Sequence, residues 1–226
     1  MPGHKCFIQP LKFTDEKAEE HRSANFIYFD FETFVAGSGE LVPNLAVVQY
    51  DDGQEYVFPS DRVIGPDVTE ELCRFIFQDK HRGFYVIAHN FQSFDGTFIL
   101  KWMLKNNVTC DPTLAGGKIK NIYVRDFDMC FRDSLAYVPT SLSKFPAVVG
   151  LPNLEKGAFP HHFNRPENWN STVSFPEKEE FDYRRKSEKE KREFDVWYLT
   201  DREEKRGLYD FNKEFIDYCS QVETNC

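Results

Sequence analysis

Two acidic residues, Asp30 and Glu32, interrupt the apolar and aromatic stretch FIYFDFET. Its continuous apolar run predicts a buried strand over 26–31. Because residues i and i+2 of a strand point to the same side, the two carboxylates share one face while Phe29 and Phe31 pack behind them. Neighbouring carboxylates repel each other, and burial beside a core raises that cost. A divalent cation such as Mg²⁺, which prefers oxygen ligands, removes the repulsion. The ordinary alternative is a solvent-exposed Asp-x-Glu pair.

A second polar cluster lies in the segment IAHNFQSFDGTFIL, residues 87–100. A predicted strand ends there at His89 and Asn90, and a helix starts near Asp95. α/β proteins place ligands in the crevice at strand ends. A turn at Asn90 and helix capping by Asp95 are the structural alternatives. If Asp95 instead faces the first pair, three carboxylates surround one point, which is the minimum for a two-metal phosphoryl-transfer site.

Composition places the chain among folded globular proteins. Of its 226 residues, 41% are hydrophobic and 16% aromatic, which is enough for a core and excludes global disorder. The formal net charge of −9 argues against a protein that coats duplex DNA, because broad phosphate neutralisation needs a basic surface. An acidic balance is compatible with a carboxylate site whose metal supplies the positive charge.

The sequence carries no sign of export or membrane insertion. Its first residues, MPGHKCFIQPLKFTDEKAEE, lack the apolar core of a signal peptide. No run of about 18 apolar residues occurs. The six cysteines include no Cys-x-x-Cys pair and are expected to be reduced. We therefore expect an intracellular protein without a membrane partner.

Strand and helix patterns predict an α/β fold. Strands are expected at 26–31, 45–52, 55–59, 83–90, 121–127 and 129–135. Helices are expected at 67–80, 94–107, 141–150 and 209–226. Hairpin-like strands followed by strands that alternate with helices indicate a mixed sheet with helices on its faces.

One domain, 26–226, is expected after an extended polar lead-in at 1–25. Residues 151–172 are rich in Pro and Asn, which indicates an ordered loop. Residues 177–206 combine dense alternating charge with a thin apolar stripe. That pattern predicts a solvated helix, or a helix pair, at the edge of the domain.

The two polar stretches resemble a known pair of motifs. Phe-Asp-Phe-Glu-Thr at 29–33 and His-Asn-Phe-Gln-Ser-Phe-Asp-Gly at 89–96 are similar to the first two exonuclease motifs of family B DNA polymerases. The closer resemblance is to the protein-primed branch, found in bacteriophages, linear mitochondrial plasmids and Polinton/Maverick transposons. Segments that resemble the transposon group are KCFIQPL (5–11), VPNLAVVQ (42–49), GGKI (116–119), DSLAYVPTSLSK (133–144), KGAFPHHFNRPEN (156–168) and FNKEFIDYC (211–219). The resemblance covers nearly the whole chain.

This resemblance implies a fold and an activity. The fold would be the ribonuclease-H-like (DnaQ-like) α/β exonuclease fold, with a mixed central sheet of five or six strands flanked by helices. The activity would be proofreading in DNA replication: 3′→5′ removal of the terminal nucleotide of single-stranded DNA with two Mg²⁺ or Mn²⁺ ions. In a full-length parent, a terminal protein primer would be a further partner. A nucleus and a mitochondrion are both compatible with the relatives.

The resemblance also assigns metal ligands. Asp30 would bridge both ions, Glu32 would hold the ion that activates water, and Asp95 would hold the second ion.

Five further positions would bind the 3′ end of a single strand. Thr33, Asn90 and Phe94 would grip the terminus, with Phe94 stacking on a base and Asn90 hydrogen bonding. Ser134 and Leu135 would contact the penultimate nucleotide. Stacking on an aromatic ring tolerates any base, which suits the removal of any mismatch. A core position remains the alternative for Phe94 and for Leu135.

The third exonuclease motif departs from the family pattern. The motif is a helix with a tyrosine and, four residues later, an aspartate on the same face. Tyr218 matches the tyrosine and would orient the attacking water, but Val222 stands where the aspartate is expected. Glu223 is the nearest acid, yet one helical step turns it away by about 100°, so it would need a distorted helix. A one-residue deletion before Val222, or a gene-model error, explains the departure equally well.

Alternative functions therefore remain. The chain is either an active exonuclease domain or a degenerate, transposon-derived fragment that binds nucleic acid and is weak or inactive because of Val222. A third alternative, an unrelated ribonuclease of the same fold, is disfavoured by the transposon-like segments outside the motifs. The sequence contains neither a tyrosine-containing Asp-Thr-Asp triplet nor an Asp-x-x-Ser-Leu-Tyr-Pro motif. We therefore expect no palm, fingers or thumb in this chain, and no DNA synthesis by it alone.

Overall fold

A mixed sheet forms the centre of the described part of the chain. In the computed structural model, residues 25–140 and 158–223 are described, with side chains up to residue 220. The expected lead-in lies outside these residues except for Asn25. The expected helix at 141–150 and residues 151–157 of the expected loop also lie outside them.

Seven strands build the main sheet of the described residues. They are β1 (Phe26–Val35), β2 (Leu41–Tyr50), β3 (Glu55–Phe58), β4 (Tyr85–Ala88), β5 (Cys110–Ala115), β6 (Lys118–Val124) and β7 (Met129–Asp133). Their spatial order is β3-β2-β1-β4-β7-β6-β5. β4 pairs in parallel with β1 and β7, and all other neighbours are antiparallel. The sheet is therefore mixed, as predicted.

The expected number of five or six strands is wrong, because β5 was not predicted. This strand lies at the edge of the sheet, and residues 111–115 are exposed. It also contains Pro112, which an edge strand tolerates but which gives no strand signal in a sequence. Two short strands outside the main sheet, β8 (Thr172–Ser174) and β9 (Leu208–Asp210), pair with each other.

Four α-helices occur in the described residues. They are α1 (Thr69–Ile76), α2 (Asp95–Lys105), α3 (Glu188–Glu204) and α4 (Phe211–Glu223). The helices predicted at 67–80, 94–107 and 209–226 correspond to α1, α2 and α4. Just before α1, the side chain of Asp67 accepts a hydrogen bond from the backbone N–H of Thr69 at 3.1 Å.

Helix α3 lies within the charged segment. Its start carries a capping box, in which the Ser187 hydroxyl accepts from the N–H of Glu190 and the Glu190 carboxylate accepts from the N–H of Ser187. Only Phe194 and Tyr198 of this helix are buried. Short 3₁₀ turns at Lys178–Phe181 and Tyr183–Arg185 precede it.

Two hydrophobic clusters pack on opposite faces of the sheet. Alternate residues of a strand point to opposite faces, and β2 sends Ala46 and Val48 to one cluster and Leu45 and Val47 to the other. The first cluster joins β1 to α1 and α2 through residues that include Ile27, Phe29, Phe31, Leu72 and Ile99. The second joins β2 to α3, α4 and the segment after 158 through residues that include Phe159, Phe181, Tyr198, Phe211 and Phe215.

A bulge in β2 links the second layer to β1. Glu32 pairs with Leu45 and Thr33 with Pro43, so Asn44 is the extra residue. Asn44 is fully buried and donates to Oδ1 of Asn164 at 2.8 Å. Asn164 in turn donates to the carbonyl oxygen of Thr33 at 3.2 Å. These bonds fix the segment around Asn164 immediately beyond Glu32.

Candidate active site

Strand β1 presents Asp30 and Glu32 on one face. Ile27, Phe29 and Phe31 are at most 7% exposed and pack into the first cluster, whereas the two acids are half-buried. The strand periodicity that predicts a shared face for the acids therefore matches the burial pattern. This face is the one that looks toward α4 and the second cluster.

The end of β4 lies beside these acids. Tyr28 of β1 is level with Ile87 of β4, so β1 continues past the end of β4 and carries Asp30 and Glu32 with it. Asn90 follows β4 with a φ of 63°, a left-handed conformation that asparagine tolerates. Its side-chain oxygen accepts from the Ser93 hydroxyl at 2.8 Å. The turn at Asn90 is thus present, on the same side of the molecule as the acids.

Asp95 is the first residue of α2 and is 7% exposed. Phe94, not Asp95, occupies the N-cap position, and it makes no side-chain cap. The pKa of Asp95 is well above its usual value, firstly because of burial and secondly because of the negative charge of Asp30. Asp133 and Glu32 raise it further. These carboxylates therefore lie within electrostatic reach of one another.

Gly96 permits the close packing that fixes Asp95. Its N–H donates to the carbonyl oxygen of Phe91 at 2.9 Å. A Cβ at this position would lie 2.9 Å from Cε1 and 3.0 Å from the carbonyl oxygen of Phe91, which is fully buried. Only glycine allows the first turn of α2 to approach Phe91 this closely.

Asp133 at the end of β7 was not predicted as a functional residue. It is 2% exposed and accepts hydrogen bonds from the N–H of Gln92 at 3.2 Å and of Leu135 at 3.0 Å. One carboxylate thus holds together the turn before Asp95 and the turn that carries Ser134. The available signal was an acid at the end of a predicted strand, next to two candidate ligand residues.

The predicted DNA-contacting residues lie around the same edge of the sheet. Ser134 and Nδ1 of His89 share a hydrogen bond of 2.9 Å. Burial lowers the pKa of His89, and the Asp133 charge and a hydrogen bond that His89 donates to the backbone of Thr140 oppose that shift.

The exposure of these residues differs. Phe94 is 53% exposed, which makes the core alternative for this ring wrong. Leu135 and Thr33 are half-buried, so for Leu135 both interpretations stay open.

Helix α4 brings Tyr218 toward the acids. The side chain is 7% exposed, and its ring stacks on Phe159 with centroids 5.0 Å apart. Its hydroxyl lies 3.3 Å from Nε2 of His161, a contact that the sequence did not predict. The pKa of Tyr218 is raised, mainly by burial and then by the charge of Glu32, with smaller effects of Cys219 and Asp30. The phenol is therefore protonated at neutral pH.

Position 222 lies in the last turn of α4, where the structure describes the backbone but not the side chain. α4 remains a regular α-helix through Glu223, so the distortion that would turn Glu223 toward the position of residue 222 is not seen. That position 222 is the place of the motif's aspartate stays a prediction.

The donor set suits divalent cations. Asp30, Glu32 and Asp95 offer only carboxylate oxygens. Burial, and after it the negative charges of Asp30 and Glu32, raise the pKa of Asp95. A bound cation would reverse that effect. Among residues 25–140 and 158–220, no three His, Cys, Asp or Glu side chains already stand at the spacing of a formed metal site.

None of the helices in the described residues is long and apolar enough to cross a membrane.

Comparison with known proteins agrees with this architecture. The family model described as "DNA polymerase type B, organellar and viral" matches residues 77–221. No protein with a curated description matches the chain. The structure of Phi29 DNA polymerase complexed with single-stranded DNA matches with a TM-score of 0.51 and 16% identity, over 70% of this chain and 28% of that chain. The structure of the same polymerase with primer-template DNA and incoming nucleotide substrates matches with a TM-score of 0.51 and 16% identity. That match covers 72% of this chain and 28% of the polymerase chain.

The structural likeness confirms the predicted fold, a ribonuclease-H-like α/β domain with a mixed sheet flanked by helices. The chain spans just over a quarter of the length of the polymerase it matches, 28%.

Proposed function

Because the chain belongs to the organellar and viral type B DNA polymerases, we propose that it is their proofreading 3′→5′ exonuclease domain. It hydrolyses the terminal phosphodiester of a single strand and acts in DNA replication as part of a protein-primed polymerase. The observation that carries this proposal is the buried Asp95, whose pKa is raised by burial and by the negative charges of Asp30 and Glu32, acids from a separate segment of the chain.

In this proposal, Asp30, Glu32 and Asp95 hold two divalent cations, Mg²⁺ or Mn²⁺. Such ions, when bound, supply activation of a water and stabilisation of the leaving 3′ oxygen. Asp30 would be the ligand shared by both ions, with Glu32 and Asp95 each holding one of them. Tyr218 keeps its proton because its pKa is raised, so the hydroxyl orients a water by hydrogen bonding.

The 3′ end is held by residues around the carboxylates. The exposed ring of Phe94 stacks on the terminal base, and Thr33 and Asn90 bind the terminal nucleotide. Ser134 and Leu135 contact the penultimate nucleotide. Asp133 positions both turns through its bonds to the N–H groups of Gln92 and Leu135. The bound strand therefore ends at the carboxylates.

The test is hydrolysis of a 5′-labelled single strand in Mn²⁺. We expect the wild-type chain to shorten the strand slowly, because Val222 removes one expected carboxylate. Asp30→Asn should abolish the shortening, since it removes the charge shared by both cation sites while preserving the side-chain shape. Asp51 is exposed and directly follows β2. Asp51→Asn is therefore the matched control, and this variant should degrade the strand at the wild-type rate.

Equal and complete survival of the strand with wild type and Asp30→Asn would refute the enzymatic function. It would favour the binding fragment if the strand were still retained by the protein. Loss of activity in Asp51→Asn as well would point to a general effect of charge.

Val222→Asp tests the third motif separately. Position 222 is four residues after Tyr218, on the same helical face. Restoring the carboxylate should raise the rate by about tenfold or more, the scale on which support of a metal site affects activity. Glu223→Gln is the control and should change little. An unchanged rate in Val222→Asp would mean that position 222 is not the ligand position.

A further inference from the structure

The sheet face that carries the carboxylates continues into an open groove. Phe26 and Tyr28 lie on the same face of β1 as Asp30, four and two residues before it, respectively. Together with residues of β4 and β7 they border a groove of about 430 Å³. The side chains used below are Phe26, Tyr28, Tyr85, Arg132, Ser134 and Tyr137.

Planar groups follow one another along this groove. The rings of Tyr28 and Phe26 are stacked with centroids 6.2 Å apart and an interplanar angle of 19°. The rings of Phe26 and Tyr85 follow at 5.8 Å and 28°. The guanidinium of Arg132 lies 4.9 Å from the centroid of Tyr85. Aromatic and guanidinium planes of this kind are the surfaces on which unpaired nucleobases stack.

Arg132 is the one charged residue among the described residues that border the groove. The chain has a net charge of −9, yet the described residues that border the groove include no Asp or Glu. Nη1 of Arg132 donates to the hydroxyl of Tyr137 at 2.6 Å, which fixes the guanidinium. Its buried Nε has no acceptor within the described residues. A planar, fixed guanidinium favours phosphate as its partner.

The groove begins where the predicted contacts to the 3′ end stop. Ser134, expected at the penultimate nucleotide, also borders the groove, and its hydroxyl bonds to His89. A strand that ends at the carboxylates and passes Ser134 therefore enters the groove next.

We propose that this groove binds the third and following nucleotides from the 3′ end of a single strand. The bases stack along Tyr28, Phe26 and Tyr85, and Arg132 pairs with the phosphate backbone. The groove thus sets the length of single strand that the domain recognises. This inference rests on the proposed function for the direction of the strand, because the carboxylates define where the 3′ end lies.

Binding of short oligothymidylates in EDTA at low salt tests the groove without hydrolysis. For Tyr85→Ser and for Arg132→Gln we expect affinity for a hexanucleotide to fall about tenfold, the effect of losing one stacked base. Affinity for a dinucleotide should stay at the wild-type level. Tyr123 lies on neighbouring β6 and Arg125 directly follows that strand. Tyr123→Ser and Arg125→Gln remove an exposed ring and an exposed guanidinium of the same chemistry and should change neither affinity.

Crosslinking of the unaltered chain makes the test independent of folding of the variants. 4-Thiothymidine at the third or fourth position from the 3′ end should crosslink to the peptide that contains Phe26 and Tyr28 or to the one that contains Tyr85. Crosslinks confined to other peptides would overturn the proposal. So would groove variants that bind the hexanucleotide as the wild type does, or that lose the dinucleotide equally.

The two proposals fail separately. Strands that survive Mn²⁺ while the groove variants still lose hexanucleotide affinity refute the exonuclease alone. Hydrolysis that depends on Asp30, combined with wild-type hexanucleotide affinity in the groove variants, refutes the groove alone.

Discussion

Asp95 is a carboxylic acid held in a buried position beside other acids. Burial and the charges of Asp30, Asp133 and Glu32 raise its pKa. The folded state therefore binds a proton more tightly than the unfolded state, and stability falls as pH rises from the usual aspartate range through the raised pKa. A carboxylate placed at such a cost to the metal-free chain is typical of a functional site.

Replacing Asp95 by Asn should stabilise the metal-free protein. In EDTA, we expect the free energy of unfolding of Asp95→Asn to exceed that of the wild type, because the buried charge is gone. The difference should be smallest near pH ~4, the ordinary pKa of aspartate, and should grow toward neutral pH. Urea denaturation across this range measures it, with Asp51→Asn as a control that shows no such trend. A variant less stable than the wild type at neutral pH would contradict the electrostatic account.

At this scale, the sequence predicts what depends on local spacing. The shared face of Asp30 and Glu32 follows from strand periodicity alone. The role of Asp133 does not follow from local spacing. Leu135 is its near neighbour, but its other partner, Gln92, lies 41 residues away in the sequence. The predicted metal and DNA contacts of the site residues stay predictions.

At the scale of elements, the start of α2 is fixed by one glycine. An added Cβ at Gly96 would meet both the ring and the carbonyl oxygen of Phe91. Gly96→Ala should therefore destabilise the protein by about 1–3 kcal/mol, the usual cost of overpacking, although alanine favours helix by about 1 kcal/mol over glycine. Urea denaturation measures this change.

Gly37→Ala is the matched control, because a Cβ there would have no heavy atom within 4 Å. It should leave stability nearly unchanged. If Gly96→Ala were as stable as the wild type, the close approach to Phe91 would not be what positions α2.

The elements themselves were predictable where their periodicity is local. The apolar run of β1 and the amphipathic pattern of α2 gave both elements within a few residues of their observed ends. Edge strand β5 lacks that pattern and was missed. The bulge at Asn44 was not predictable either, because it depends on bonds to Asn164, which is 120 residues away in sequence.

At the scale of the whole molecule, the net charge of −9 opposes the binding of a polyanion such as DNA. We expect a phosphorothioate single strand, which resists hydrolysis, to bind weakly in EDTA. Mn²⁺ should raise its affinity by about tenfold or more, since cations at the carboxylates remove repulsion close to the terminal phosphate. Fluorescence anisotropy at fixed ionic strength measures the gain.

Asp30→Asn should lose most of that gain, whereas Asp51→Asn should keep it. An equal gain in all three proteins would mean that Mn²⁺ acts by general screening rather than at the carboxylates.

The fold class was predictable because the order of strands and helices limits the arrangements of an α/β sheet. The resemblance supplied the family, which the family model confirms. The finer assignment to the Polinton/Maverick group stays a prediction. The packing of the second cluster on β2 was not predictable. The cluster combines aromatic residues from segments whose own sequences show little periodicity.

The two sides of the sheet anchor different parts of the candidate site. Asp95 and the turns around it are anchored to the first cluster, whereas Tyr218 and the backbone at 222 belong to the layer held by the second. A lineage can therefore lose the proposed cleavage through changes in one layer and still keep the packing of the other. Val222 lies in the layer where such a loss would begin.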